Sequence, residues 1–272
     1  MTTQIRATRY AIDLELQAEV ARVTISHQTK FNAMSRAMWH ELQAVFERLQ
    51  KSTEVRCVVI SGENGNFCSG GDISEYAEFR FQEPSLRNFH ENDVWGGLKA
   101  MLDCDIPMVA QIEGNCLGAG VEIASCCDLR LSGVTAKFGA PIARLGFPMA
   151  PRETALVVRE VGLTVARQML LEAAIFSAEE MKICGFLSHV VPAEALVDEV
   201  QATALRIAAL APQAARLNKQ TLRGLIHPLT TDHLRDAGNL ITNSSDKAFA
   251  YANSAEHREG ISAFLEKRKP AF

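Results

Sequence analysis

The sequence has no excess of charge to work with. Twenty-eight Lys and Arg against 32 Asp and Glu leave a formal net charge of −4 and a pI near 6.0. That balance carries no electrostatic footprint for nucleic acid or an anionic membrane surface, so neither partner is expected. Long hydrophobic runs are also missing: none approaches the roughly 20 residues that span a bilayer. The opening MTTQIRATRYAIDLEL lacks the apolar core of a signal peptide. The seven cysteines (57, 68, 104, 116, 126, 127 and 184) are odd in number and contain no C-x-x-C. This argues against a disulfide framework and a zinc ribbon, and the expectation is a reduced, cytoplasmic chain. No histidine falls between residues 91 and 188. A histidine-based triad would need a remote donor, and His27, His40, His90 and His189 read as structural. Nothing has metal-ligand spacing, so no metal is expected. Gly118-Ala119-Gly120 lacks the third glycine of a dinucleotide fingerprint, and the Gly65–Gly71 stretch lacks the Lys-Ser/Thr of a P-loop.

What the chain does have is the composition of an ordinary globular protein, 47% hydrophobic and 22% charged over 272 residues. Val20–Ile25 alternates as a strand. Ser35 is placed to cap a helix whose apolar positions Met38, Trp39, Leu42, Val45, Phe46 and Leu49 recur at three- and four-residue steps. Val55–Ser61 is a β-branched run that reads as a buried strand, Met108–Ile112 reads as a second, and each feeds a glycine-containing turn leading towards a helix. Asp128–Leu131 reads as a further short strand and Lys137–Pro151 as a loop. Beyond it the pattern is helical: Thr154–Ala174, Ala178–Cys184, Ala193–Leu210, Pro212–Leu225 and two more helices up to Lys269. Strands dominate the first half and helices the second. The expected fold is therefore an α/β core over residues 1–210 with a C-terminal helical region over 211–272.

The stretch that draws attention is Ile106–Leu131, IPMVAQIEGNCLGAGVEIASCCDLRL. It is almost wholly apolar and small, yet it carries Glu122 just behind the Gly118-Ala119-Gly120 turn. Glu122 is placed in the first turn of the following helix, where the helix dipole alone favours a carboxylate by roughly 0.3–1 kcal/mol. Its apolar flanks suit the other reading, a desolvated acid with a raised pKa fit for general acid–base work. Small residues also let backbone N–H groups approach a ligand, and a pair of them stabilises a developing oxyanion. Gly71 and Ala119, one from each turn, are the candidates for that pair. Residues 74–98, polar with interspersed aromatics, and residues 142–150 are expected to wall the pocket.

Three segments together resemble the crotonase (enoyl-CoA hydratase/isomerase) superfamily: Val58–Ile73 (VVISGENGNFCSGGDI), Ile106–Asp128, and the terminal EGISAFLEKRKPAF. The resemblance runs from about residue 10 to the C-terminus. It implies a ββα spiral core, a C-terminal helical trimerisation region, an acyl-CoA thioester as substrate with no separate cofactor, and a homotrimer or a hexamer built as a dimer of trimers. It also implies that Gly71 and Ala119 donate N–H groups to the thioester carbonyl and that Cys68, Gly70, Asp72 and Ile73 belong to the loop that cradles CoA. Lys267 corresponds to a basic residue near the nucleotide phosphate, and Glu122 to the first of two catalytic glutamates.

The second glutamate of the hydratases has no counterpart here. Where they read roughly Gly-x-Pro-Glu, this chain reads Gly139-Ala140-Pro141-Ile142, and Ala150 stands where some relatives place an aspartate. Ile142 is expected to be a pocket wall that excludes water. Hydration is described with two acids positioning one water, whereas shifting a double bond along an acyl chain needs one base. The leading expectation is therefore an enzyme of the hydratase/isomerase type, acting through a thioester enolate with Glu122 as its single acid–base. Another reaction of the superfamily, decarboxylation or thioester hydrolysis, and a catalytically impaired CoA-binding subunit remain the alternatives.

Overall fold

Alternation along β3 (Cys57–Gly62) and β4 (Met108–Ile112) fixes the layering of the molecule. Val58, Ile60, Met108, Ala110 and Ile112 face one apolar cluster, and Cys57, Val59 and Val109 face the other. A strand buried on both faces reads as a near-continuous apolar run, interrupted here by Ser61 in β3 and Gln111 in β4. In the computed structural model, which describes residues 10–226 and 254–272, they lie in the middle of a six-stranded sheet. Its other strands are β1 (Tyr10–Gln17), β2 (Val20–His27), β6 (Leu129–Gly133) and β9 (His189–Val191), in the order β1-β2-β3-β4-β6-β9. Only the β1–β2 pair is antiparallel. A second sheet of three short strands, β5 (Asn115–Leu117), β7 (Lys137–Gly139) and β8 (Ile175–Ser177), packs beside it.

The helices are α1 (Arg36–Gln50), α2 (Glu83–Asn88), α3 (Trp95–Asp103), α4 (Ala119–Ser125), α5 (Pro151–Val161), α6 (Leu163–Leu171), α7 (Ala178–Ile183), α8 (Leu196–Ala208) and α9 (Pro212–Ile226). A last helix spans Ala255–Leu265. Ser35 caps α1, accepting a hydrogen bond from the Met38 amide at 3.2 Å, and the Met38, Trp39, Leu42, Phe46 and Leu49 stripe is buried as its spacing predicts. On the opposite face of the large sheet, α8 contributes Leu196, Val200, Ala204 and Ala208.

Several expectations are corrected. Lys137–Pro151 is not a plain loop: Lys137–Gly139 pairs with both β5 and β8, and Pro141–Leu145 forms a 3-10 turn. Thr154–Ala174 is not one helix, because Gly162 at φ +79° breaks it into α5 and α6. Strand β1 is not anticipated by the sequence reading. Asp105 accepts hydrogen bonds from Arg223 at 2.8 Å and Gln50 at 3.0 Å, which anchors α9 to the core. Of the two further helices expected before Lys269, one is Ala255–Leu265; the other lies outside the described residues. Among the described residues no helix is long and apolar enough to cross a membrane.

Candidate active site

Parallel pairing of β3 and β4 brings their two following loops together. Cys68 donates its amide to Asn115 O at 2.8 Å and Leu117 donates to Cys68 O at 2.9 Å. The second loop then turns sharply at Gly118, whose φ +50°, ψ −111° is closed to a residue with a side chain. Two residues on, a Cβ at Gly120 would lie 2.5 Å from Cys68 O, so only glycine lets α4 dock against this loop.

Two backbone donors are left over by this arrangement. Asp72 donates its amide to Met34 O and Gly118 to Gly139 O, both at 2.8 Å, while the amides of Gly71 and Ala119 between them donate to no backbone group among the described residues. Gly71 and Ala119 both line a cavity of about 300 Å³. Glu122, one turn into α4, is another wall residue, 9% exposed, and its carboxylate has no hydrogen-bond partner among the described residues. Burial, with a smaller push from the charge of Glu153, raises its pKa to about 8.

The remaining sequence-predicted residues divide. Gly70, Ile73 and Ile142 line the cavity. Cys68 does not: its thiol is buried in the core. Asp72 is buried beneath the loop, ion-paired to Lys30 at 2.7 Å and capping the turn Ile73–Glu78. Lys267 is exposed in the C-terminal segment and is not part of the cavity wall. Cys68 and Cys127 offer no nucleophile, since burial pushes their thiols up to about 12. Among the described residues no cluster of His, Cys, Asp and Glu has the makings of a metal site.

Residues 74–98 and 142–150 do wall the cavity, and they bring groups that sequence reasoning missed. Tyr76 stands with its hydroxyl where a Cβ on Gly71 would be, 2.2 Å away, and burial pushes its pKa up to about 12, keeping it neutral. Between α2 and α3 the helix widens into a π-turn, Phe89–Val94, which sets Phe89, His90 and Val94 on the cavity wall. His90, read as structural from the sequence, is therefore a cavity residue. Its Nδ1 lies 3.0 Å from Oε1 of Glu153, and its Nε2 lies 3.3 Å from a guanidinium nitrogen of Arg80. Arg80 has only donors, so Nε2 is the acceptor and Nδ1 carries the proton given to Glu153. Glu153 itself is 2% exposed at the start of α5. The signal for Glu153 was weak, because an acid just after Pro151 reads equally well as a solvated first turn.

A family model described as enoyl-CoA hydratase/isomerase matches residues 15–272. The chain is 29% identical over 265 residues to a probable enoyl-CoA hydratase of Mycobacterium bovis, covering 97% of this chain and 98% of that protein. It is 30% identical over 259 residues to a short-chain-enoyl-CoA hydratase of Clostridium acetobutylicum, covering 94% and 95%. Among solved structures, one described as an enoyl-CoA hydratase/carnithine racemase from Magnetospirillum magneticum superposes with a TM-score of 0.86 at 31% identity, covering 97% of both chains.

Proposed function

The chain belongs to the enoyl-CoA hydratase/isomerase family, and from that premise we propose that it moves the double bond of an enoyl-CoA, with Glu122 as the single acid–base. The observation that carries this reading is a carboxylate without a hydrogen-bond partner among the described residues, on the wall of a cavity that is also lined by Gly71 and Ala119, whose amides donate to no backbone group among those residues. With the thioester oxygen between those amides, the ionised Glu122 takes a proton from C2 of a 3-enoyl-CoA. The electrons move into a dienolate whose oxygen charge the two N–H groups stabilise. Glu122 then returns the proton to C4, and the double bond lies between C2 and C3. One group serves both steps, so no second acid is required.

Hydration by the two-acid route would need a partner at position 142, and Ile142 supplies an apolar wall instead. His90 does not replace that partner, because its Nε2 is already occupied by Arg80. Hydration is still the second reading, favoured by the names of the relatives. In this proposal the loop from Cys68 to Ile73 shapes the CoA site through its backbone, Lys267 lies near the nucleotide phosphate, and the working form is a trimer or a dimer of trimers in the cytoplasm.

The acyl-CoA assignment is tested by thermal unfolding. A ligand held at a hundredfold its Kd adds about 2.7 kcal/mol of stability. Crotonyl-CoA or a longer enoyl-CoA is expected to raise Tm by several degrees. No shift with any acyl-CoA would contradict the reading.

A further inference from the structure

Arg80 is a cation on the cavity wall that has no acid partner among the described residues. It lies on the wall with Tyr76 and Phe147, its guanidinium carbon 4.5 Å and 3.6 Å from their ring centroids. It forms no ion pair with an acid among the described residues, and the acids of the neighbouring helix are engaged elsewhere. Glu83 pairs with Arg87 at 2.7 Å and Glu91 with Arg152 at 2.8 Å. Glu153 is held from it by the imidazole of His90. The relay Glu153–His90–Arg80 and the two rings thus fix the guanidinium in place and occupy part of it, leaving further N–H donors unassigned. The other arginine on the wall, Arg144, is exposed and donates to Ala173 O at 3.2 Å.

A guanidinium that is partly desolvated, oriented and without a counter-charge among the described residues is arranged for an anion arriving in the cavity. We propose that Arg80 is a carboxylate-binding subsite, and that the enzyme prefers acyl-CoAs whose acyl chain carries a second carboxylate at its far end. The inference rests on the acyl-CoA reading above and deepens it by naming the substrate class. A phosphate of CoA is the other anion that this cation would accept, and the test separates the two.

Binding of non-reacting ligands is measured by calorimetry with succinyl-, glutaryl- and adipyl-CoA against butyryl-, pentanoyl- and hexanoyl-CoA. At the chain length that brings the carboxylate to Arg80, the charged ligand is expected to bind about tenfold or more tightly than its neutral counterpart, the scale of a charge-assisted hydrogen bond. In Arg80→Met that advantage is expected to fall below about twofold, and Arg80→Lys to retain part of it, since lysine keeps the charge and loses the fork. Neutral ligands binding more tightly at all three lengths in the wild-type protein would overturn the proposal without recourse to any variant. So would equal weakening of both series in Arg80→Met, which would assign Arg80 to CoA or to the fold. A wild-type protein that binds neither series contradicts the acyl-CoA reading itself, and the inference falls with it.

Discussion

Glu122→Gln is expected to lower kcat by about 10²–10⁴ while acyl-CoA affinity stays nearly unchanged. The amide fills the same space and keeps the cavity wall but neither takes nor returns a proton. The thioester would still be held by the Gly71 and Ala119 amides, so the loss should fall on kcat rather than KM. Stability supplies a second readout. In the fold, the pKa of Glu122 is raised from 4.5 to about 8, so folding favours its protonated form. Its contribution is fully present below pH 4.5, declines as pH rises, and is lost once pH passes about 8. Glutamine does not titrate. The wild-type protein should therefore lose stability relative to Glu122→Gln between pH 5 and pH 8, a difference visible in paired denaturant titrations. An active glutamine variant would remove Glu122 from the chemistry.

The pH dependence of turnover is the second large effect. A base with a pKa of about 8 is ionised to about 1% at pH 6 and about 90% at pH 9. The kcat/KM for isomerisation should rise close to tenfold per pH unit below 8, about 10² in all, and level off above it. The raised value comes first from burial and then from Glu153. Glu153→Gln removes the nearby charge and should move the midpoint towards acid. A rate that is flat from pH 6 to pH 9 would mean that a different group carries the proton.

Much of this site was legible in the residues, for reasons that are physical. The stripe of α1 and the doubly buried runs of β3 and β4 announce themselves because each is long enough to show its period. Glu122 stood out because an acid in an apolar run is costly unless it is used. Strands β5, β7 and β8 did not, since three residues carry no readable period and each is stabilised by its neighbours rather than by its own sequence. The Glu153–His90–Arg80 relay was equally hidden. His90 and Glu153 are 63 residues apart and meet only because the π-turn sets the imidazole against the start of α5. Arg80 lies four residues after Tyr76, and its second aromatic neighbour, Phe147, comes from a distant loop that no local pattern connects to it.

The measurement closest to the central claim compares two rates on one enzyme preparation at one pH. Isomerisation of 3-hexenoyl-CoA is followed beside hydration of 2-hexenoyl-CoA. With Glu122 as the only acid–base and Ile142 in place of a second acid, kcat/KM for isomerisation is expected to exceed that for hydration by about tenfold or more. Hydration faster than isomerisation would contradict the single-base account.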